Sequence, residues 1–301
     1  MKIFVTGATG FIGSAVVKEL LGAGHQVLGL ARSEAGAQAV AAAGAQVYRG
    51  DLNDPESLRA GAQASDGVIH TAFIHDFANI AASANADREA IETLGDVLAG
   101  SGRPLVVTSG TALLAPGRLA TEEDAAPSDH AFPRVSEPVA LTMMQRDVRV
   151  SIMRLPPSVH GEGDHGFVPI LIAIAREKGV SAYIGDGRNR WPAVHRVDAA
   201  QLYRLAVEKA PAGTKLHGVA DEGVPTKAIA EVIGRRLNLP VVSKSPEEAA
   251  EHFGFLGMFF GLDCPASSAL TQQRMGWRPA QPGLLADLDQ PYYFESVPAV
   301  T

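Results

Sequence analysis

Three glycines near the start of the chain, Gly7, Gly10 and Gly13, follow a short apolar run at intervals of three residues. In this spacing Gly7 allows a tight turn, Gly10 lets the backbone approach a pyrophosphate, and Gly13 lets the next helix pack closely on its strand. The free N–H groups at the start of that helix then face the phosphates. A strand-to-helix turn without a ligand is the alternative interpretation. The predicted dinucleotide contacts in this turn are Gly7, Thr9, Gly10, Phe11, Ile12 and Gly13.

The next apolar run, residues 26–30, leads into Ala31 and Arg32. A dinucleotide-binding fold usually carries an acidic residue at this point, which binds the ribose 2′-hydroxyl. Ala31 has no carboxylate, and the cationic side chain of Arg32 suits a 2′-phosphate. The pair therefore favours NADP over NAD as the cofactor. The alternative for Arg32 is an ordinary solvated loop charge.

Side chains that could donate or orient a proton follow the later apolar runs. Ser109 and Thr111 come at the end of the run that begins at residue 104, and His130 precedes a candidate helix. Histidine titrates near neutral pH, and hydroxyl groups can orient a carbonyl. We predict Thr111, Ser109 and His130 as catalytic residues, with a purely structural role as the alternative for each. The histidines show no metal-binding spacing. Further loop candidates at the same edge are His75, Asp76, His160 and His165.

The segments that carry these residues alternate between strand and helix patterns. Such βαβ alternation predicts an α/β fold with a doubly wound parallel sheet of the Rossmann type. Ligands in such sheets bind beyond the carboxyl ends of the strands, which is where Gly7, Arg32, Asp51, Thr71 and Ser109 fall. The predicted strands are residues 2–5, 26–30, 46–48, 67–72 and 104–109.

Composition narrows the class of protein. With 301 residues, 46% of them hydrophobic and 20% charged, the chain has the make-up of a globular protein with a sizeable core. A formal net charge of -7 argues against a nucleic-acid partner, because there is no basic stripe to neutralise phosphates. Cys264 is the only cysteine, which excludes an intramolecular disulfide. Because no signal peptide or membrane-length apolar run is present, we expect a cytoplasmic protein without membrane contact.

The order of the motifs resembles that of the short-chain dehydrogenase/reductase superfamily, in its extended, epimerase-like branch and its atypical members. The matching segments run in the family's order from residue 6 to residue 198. They are TGATGFIG at 6–13, GDL at 50–52, IHTA at 69–72, VTS at 107–109, RLPPSVHG at 154–161, and GDG at 185–187 leading to VHRVD at 194–198.

This resemblance implies cofactor contacts beyond the glycine turn. The adenine would lie between Asp51 and Leu52, and the nicotinamide would lie beside Leu155 and Pro156. The ribose and pyrophosphate would contact residues 71–73. The contacts predicted in this way are Asp51, Leu52, Thr71, Ala72, Phe73, Thr108, Leu155 and Pro156.

One catalytic element of the family is missing from the sequence. Family members use a Tyr-x-x-x-Lys helix, in which the tyrosine donates the proton and the lysine lowers the tyrosine's pKa. None of the five tyrosines here has a lysine four residues later. Pro133 and Glu137 occupy the two positions instead. Ser136, followed by Glu137 and Pro138, is typical of a helix N-cap with the first helical residues behind it.

The strand and helix pattern changes in the second half of the chain. Residues 1–155 form the predicted NAD(P)-binding domain, to which residues 190–212 return. Residues 156–189 and 213–301 form a smaller C-terminal α/β substrate-binding part. We interpret the apolar stretch at residues 253–262 as packing between these parts, with an apolar lid or partner surface as the alternative.

Two functions fit these observations. We favour an NADP-dependent oxidoreductase that reduces a small, fairly apolar carbonyl compound or activated alkene with a non-standard proton donor. The alternative, which the atypical family members suggest, is a catalytically silent NADP(H)-binding sensor that reports redox state to a partner. The loop histidines favour the enzyme, whose expected partner is a small-molecule substrate. A homodimer is left open.

Overall fold

Parallel strands dominate the protein, whose structure is a computed structural model that describes residues 1–76, 79–126 and 134–295. The apolar runs of the sequence supply most of them. The strands within these ranges are β1 (Lys2–Thr6), β2 (Gln26–Ala31), β3 (Gln46–Arg49), β4 (Gly67–His70), β5 (Pro104–Gly110), β6 (Arg149–Leu155), β7 (Ser158–His160), β8 (Ser181–Ile184), β9 (Arg190–His195), β10 (Thr214–His217), β11 (Asp221–Pro225) and β12 (Val241–Lys244).

Helices connect and cover the strands. Pro55 opens the third helix, and the Asp54 side chain accepts a hydrogen bond from the Glu56 N–H over 3.1 Å, as its sequence predicts. In the described ranges no helix is long and apolar enough to cross a membrane. The α-helices are α1 (Phe11–Gly22), α2 (Glu34–Ala42), α3 (Pro55–Gln63), α4 (Ile80–Leu98), α5 (Ser136–Thr142), α6 (Phe167–Lys178), α7 (Arg196–Lys209), α8 (Thr226–Leu237), α9 (Pro246–Phe253), α10 (Leu256–Phe260), α11 (Ala269–Met275) and α12 (Leu284–Leu288).

The large sheet contains seven strands in the order β3-β2-β1-β4-β5-β6-β10, and every pair is parallel. Its first six positions follow the strand order of dinucleotide-binding folds, with the reversal between β1 and β4. The predicted doubly wound parallel sheet is therefore confirmed. The edge strand, residues 214–217, lies beside β6, whereas the sequence pattern assigned it to the substrate-binding part.

Helices bury both faces of this sheet. Ile3 and Val5 of β1 pack in one apolar cluster with Val16 of α1, whereas Phe4 points to the other face and packs with Leu58 of α3. Alternate residues of a strand point to opposite faces, so a strand buried on both sides is a continuous apolar run. This arrangement explains why the strands were recognisable in the sequence.

Two small sheets form the C-terminal part. Strands β11, β9 and β7 make the first, and β12 pairs with β8 in the second. Trp191 of β9 is fully buried in the apolar cluster that joins these sheets to α6, α8 and α10. In contrast, α7 packs back on the nucleotide-binding half, where Arg204 Nε donates to Glu19 of α1 over 2.7 Å.

Candidate dinucleotide site

The glycine turn joins β1 to α1 by close backbone contacts. Gly7 has φ +69°, in the left-handed region that glycine tolerates best, and accepts a hydrogen bond from the Gly10 N–H over 2.9 Å. A Cβ atom on Gly7 would lie 2.8 Å from both Thr71 Oγ1 and Ala72 N, and one on Gly13 would lie 2.0 Å from the Gly7 carbonyl oxygen. The turn therefore depends on glycine at both positions.

The first backbone N–H groups of α1 are available to bind a ligand. Gly10 precedes the helix and supplies no side-chain cap, so the first N–H groups have no capping partner among the described residues. A Cβ atom on Gly10 would have a single described neighbour within 4 Å, the Gly7 carbonyl oxygen at 3.3 Å. The geometry suits a phosphate group that accepts hydrogen bonds from this helix end.

Charged groups gather at the carboxyl ends of β2 and β3. Arg32 Nε lies 3.8 Å from Asp51 Oδ2, and the Arg32 side chain is 77% exposed. Asp51 also accepts a hydrogen bond from the Asn53 N–H over 2.9 Å, and Leu52 is half-buried. Arg49 donates to the Ser33 carbonyl over 2.6 Å, so a second arginine, which the sequence reasoning missed, lies beside the end of β2.

A chain of buried polar groups links β1, β4, α4 and α5. Thr6 Oγ1 and His70 Nδ1 are 2.8 Å apart, and His70 Nε2 lies 3.2 Å from Asp87 Oδ1. Ser136 Oγ donates to the other Asp87 oxygen over 2.5 Å. Burial raises the pKa of Asp87, but the hydrogen bonds from His70 and Ser136 and the nearby positive charge of Arg134 lower it overall.

This chain corrects the expected role of Ser136. Val135 takes the N-cap position of α5, and Ser136 is the first helical residue. The Ser136 hydroxyl donates to Asp87 instead of accepting from a helix amide. The buried carboxylate on α4, 49 residues earlier in the chain, is the stronger acceptor and was invisible to local pattern.

The loop after β4 and the end of β5 meet at Arg134. The Arg134 guanidinium lies 4.1 Å from the centre of the Phe73 ring and donates to the Thr108 carbonyl over 2.9 Å. Thr108 Oγ1 donates to the His70 carbonyl over 2.7 Å, so the Tyr203 hydroxyl, also at 2.7 Å, is the donor to Thr108 Oγ1. Burial raises the pKa of Tyr203, which keeps its proton in place.

Two of the predicted catalytic residues, Ser109 and Thr111, lie at the sheet edge. Ser109 is half-buried at the end of β5, and Thr111 is buried with its N–H donating to the Leu155 carbonyl over 3.0 Å. No described group hydrogen-bonds to Thr111 Oγ1. His130 lies outside the described residues. Leu155 and Pro156 are buried beside this edge, at the end of β6.

The family's lysine position holds one half of a buried ion pair. Arg154 of β6 donates to both carboxylate oxygens of Glu137, over 2.8 and 2.6 Å. It also donates to the Asp124 carbonyl over 2.8 Å and lies 3.2 Å from His217 Nε2. Burial lowers the pKa of His217, so the ring is neutral beside the guanidinium. A carboxylate locked in this way cannot lower the pKa of a neighbouring tyrosine as a lysine does.

A second polar cluster follows β7. His160 Nδ1 lies 2.8 Å from Asp287 Oδ2, and Tyr292 also hydrogen-bonds to Asp287. Tyr293 bridges to the loop, since its hydroxyl lies 3.2 Å from Asp287 and 3.3 Å from Asp164. Burial raises the pKa of Asp164 to about 6, although hydrogen bonds from Gly166 and Tyr293 oppose the shift.

The same loop reaches the glycine turn. The His165 ring lies 5.7 Å from the ring of Phe11, edge to face, and the Arg196 guanidinium lies 4.9 Å from the Phe11 centre. His195 caps α7, because its Nδ1 accepts from the Val197 N–H over 3.2 Å. The described residues contain no group of three or more side chains placed to hold a metal ion.

An apolar cavity of about 490 Å³ lies between the start of α4 and the pair α9–α10. Ile80 lines it on one side, and Phe255 and Met258, 46% and 67% exposed, line it on the other. Phe253, Leu256 and Phe260 of the same apolar stretch point inward and are buried. The stretch therefore packs within the C-terminal part on one face, whereas the sequence predicted packing between the two parts, and it forms the wall of a cavity on the other face.

Comparison with known proteins shows which protein family the chain resembles. Residues 3–217 match the family described as the NAD dependent epimerase/dehydratase family. The chain is 53% identical to an uncharacterized protein of Schizosaccharomyces pombe, over 98% of this chain and 100% of that protein. It is 28% identical to 2-alkyl-3-oxoalkanoate reductase of Stenotrophomonas maltophilia, over 81% of this chain and 78% of that one.

The solved structures agree on the fold. The double mutant of dTDP-glucose 4,6-dehydratase from Streptomyces venezuelae, with NAD bound, superposes with a TM-score of 0.79 at 20% identity, over 98% of this chain and 97% of that one. The fold and glycine turn thus define a Rossmann-type protein for a nicotinamide cofactor. The chain belongs to the NAD-dependent epimerase/dehydratase family, as its motifs predicted.

Proposed function

We propose that the protein is an NADP-dependent oxidoreductase that reduces a small, apolar carbonyl compound or activated alkene. The observation that carries this proposal is the glycine turn. The backbones of Gly7 and Gly13 are in direct contact, and the side of Gly10 that a Cβ atom would occupy is open at the uncapped start of α1. A pyrophosphate in that space would accept hydrogen bonds from the free amides.

The preference for NADP rests on Arg32 and Ala31. Arg32 is exposed at the end of β2, where an acidic residue would bind the 2′-hydroxyl of NAD, and Ala31 offers no carboxylate. Arg32 Nε lies 3.8 Å from Asp51 Oδ2 near this strand end. Arg49, at the end of the next strand, lies 3.6 Å from Glu34 and adds a second guanidinium that could reach a 2′-phosphate.

The cavity between α4 and α9–α10 supports the proposed substrate class. Its walls at Ile80, Phe255 and Met258 are aliphatic or aromatic, so they suit an alkyl group. Ile80 opens the helix after the β4 loop, which places the cavity beside the carboxyl edge of the sheet. The reductase of Stenotrophomonas maltophilia, by its name, acts on an alkyl-substituted oxoalkanoate, which supports an apolar carbonyl substrate.

The cofactor, when bound, supplies a hydride. Residues of this chain would orient the acceptor, and the hydroxyls of Ser109 and Thr111 are the candidates at the end of β5. A placed proton donor contributes about 10²- to 10⁴-fold to such reactions, and the family's tyrosine–lysine pair is missing. We therefore assign acceptors whose negative charge is delocalised, such as quinones and enones, because water can protonate the product.

A catalytically silent NADP(H) sensor is the second candidate. The observation in its favour is the Glu137–Arg154 ion pair, which fills the lysine position with a structural contact. A protein that only reports on its bound dinucleotide needs no proton donor.

Oxidation of NADPH against a panel of ketones, aldehydes, quinones and enones tests the proposal, with NADPH affinity measured in parallel by calorimetry. We expect turnover of the quinones or enones. Tight NADPH binding without oxidation of any member would favour the sensor. Rapid reduction of a simple ketone would show that another acid has replaced the tyrosine, and no binding of either nicotinamide cofactor would overturn both candidates.

A further inference from the structure

Arg134 lies at the carboxyl end of β5 and is close in sequence to the position that the family spacing gives to the proton donor. By the family spacing the tyrosine position is residue 133, directly before Arg134. The Arg134 guanidinium is fixed against the carboxyl end of β5 by its bond to the Thr108 carbonyl and against the β4 loop by the Phe73 ring. Reacting groups in parallel sheets lie beyond these strand ends.

The guanidinium is held rigidly but is not enclosed. Arg134 Nε donates to Ser136 Oγ over 2.8 Å and lies 3.9 Å from Asp87 Oδ2. The Asp87 side chain is buried, whereas that of Arg134 is 21% exposed. In the part of the chain that the structure describes, no group accepts a hydrogen bond from Arg134 Nη1. A cation fixed by its neighbours before the ligand arrives needs no reorganisation to stabilise a new charge.

The positive charge of Arg134 also affects His75 in the loop after β4. Burial lowers the pKa of His75, and the positive charges of Arg134 and, to a smaller extent, His165 lower it further. His75 packs edge to face on Phe73, whose other contact is Arg134. The Arg134 guanidinium thus lies between the Asp87 carboxylate on one side and the rings of Phe73 and His75 on the other, and a negative ligand atom would bind on the side away from Asp87.

We propose that the Arg134 guanidinium binds and stabilises the negative oxygen that forms when the acceptor is reduced. This inference rests on the proposed function and specifies its substrate class, a conjugated carbonyl compound. An acceptor that took a hydride at its β-carbon from bound NADPH, leaving NADP⁺, would move its C=C π electrons onto the carbonyl oxygen, and Arg134 would hold the resulting enolate oxygen. Water then protonates the α-carbon. In the overall reaction, the enone, NADPH and H⁺ give the saturated ketone and NADP⁺.

The first test measures binding without turnover. The probe is 4-nitrophenol, whose absorbance reports its own ionisation, added to the NADP⁺ complex. A guanidinium beside the phenol oxygen should lower the pKa of the bound phenol by about 1 or more. We expect this shift in the unmodified protein and in Arg149→Gln, and its loss in Arg134→Gln. Arg149 is the matched control, because it also donates to backbone carbonyls, those of Val207 and Ala210, but at the opposite end of the sheet.

The second test is turnover. Arg134→Gln should lower kcat on an enone by about 10²- to 10³-fold and leave the Kd for NADPH unchanged. Arg134→Lys, which keeps the charge, should retain part of the phenol shift, and it decides the question if Arg134→Gln fails to fold. An unshifted phenol in the NADP⁺ complex of the unmodified protein, or an equal shift in a folded Arg134→Gln, would overturn this inference while leaving the proposed function intact. Failure to bind NADPH at all would instead remove the proposed function.

Discussion

Arg154 and Glu137 form a two-point ion pair in the interior, with the guanidinium fully buried and both carboxylate oxygens hydrogen-bonded. The pair joins β6 to α5. A tyrosine–lysine relay would need a lysine at residue 137, but Glu137→Lys would put a second cation against Arg154. Restoring the family's lysine alone should therefore unfold the protein and not activate it.

The energetics of this pair give the first prediction. Glu137→Gln leaves the Arg154 charge buried and uncompensated, so we expect the free energy of unfolding to fall by about 3 to 5 kcal/mol in urea titrations. The double variant Glu137→Leu with Arg154→Met removes both charges. Its free energy of unfolding should therefore fall by less than that of Glu137→Gln. A double variant that is destabilised by the sum of the two single changes would contradict this account.

The second prediction concerns Arg32. Arg32→Ala should weaken NADPH binding by about 1.5 to 3 kcal/mol, or roughly 10- to 150-fold in Kd, and leave NADH binding unchanged. Calorimetry with both cofactors measures the effect. Arg188→Ala is the control, since Arg188 is also highly exposed and is paired with Asp186, but lies in the C-terminal part. Equal affinities of the unmodified protein for NADPH and NADH would refute the assignment.

The third prediction compares substitutions at two glycines, Gly10 in the turn and Gly22 at the far end of α1. Gly10→Ala should fold, but its methyl group would occupy the space assigned to the pyrophosphate, so NADPH binding should weaken at least about 10-fold. Gly22→Ala, at the far end of α1, has no atom within 4 Å of the new Cβ. It should bind NADPH normally and gain about 0.5 to 1 kcal/mol of unfolding free energy. Unaltered NADPH affinity in Gly10→Ala would argue against a pyrophosphate at this site.

The fourth prediction is a pH dependence at Asp164. Burial raises its pKa to about 6, so the folded protein binds the proton more tightly than the unfolded chain. The stability from this group is therefore present below about pH 4 and is lost as the pH rises toward 6. Asp164→Asn should gain about 1 to 2 kcal/mol over the unmodified protein at pH 8 and little at pH 4.

Asp263 supplies the contrast for that experiment. Hydrogen bonds from Arg190 lower the pKa of Asp263, so its contribution to stability has the opposite sign. Asp263→Asn should destabilise the protein at neutral pH, and the difference should shrink as the pH falls. Urea titrations across the range measure both variants. Parallel pH profiles for the two would show that burial of Asp164 is not the cause.

The fifth prediction tests the apolar cavity. Met258→Ser removes part of its wall, so KM for an acceptor with an alkyl chain should rise about 5- to 10-fold, as expected from the loss of 1 to 1.5 kcal/mol of apolar contact. KM for the same acceptor without the chain should not change. Met144→Ser is the control, because Met144 is also exposed but lies beside Gly213 at the other end of the sheet. An equal rise in KM for both acceptors would show that the alkyl chain of the acceptor does not bind in this cavity.

The fold could be predicted from sequence because its signals are local. The glycine spacing and the apolar runs each lie within a few residues, and a strand buried on both faces leaves a continuous run. The end of β4 was misjudged by two residues, since Thr71 donates its hydroxyl to the Thr6 carbonyl over 2.7 Å and leaves the sheet. No local pattern marks such a contact between neighbouring strands.

The interior of the candidate site could not be predicted in this way. Thr108 and Tyr203 meet across 95 residues, and Arg154 reaches His217 across 63. Arg134 has no motif of its own and becomes significant only when β4 and β5 place Phe73 and Thr108 beside it. The edge strand at residues 214–217 was misassigned for the same reason, because its partner β6 is far away in sequence.

The position of α7 has a consequence for protein synthesis. Leu202 and Tyr203 cover the apolar side of α1, and the Asp198 carboxylate accepts hydrogen bonds from the N–H groups of Ala280 and Gln281. A nascent chain that has left the ribosome only as far as residue 155 would carry the glycine turn with that side of α1 bare. The flank of α1 behind the glycine turn is therefore covered only once α7 has been synthesised.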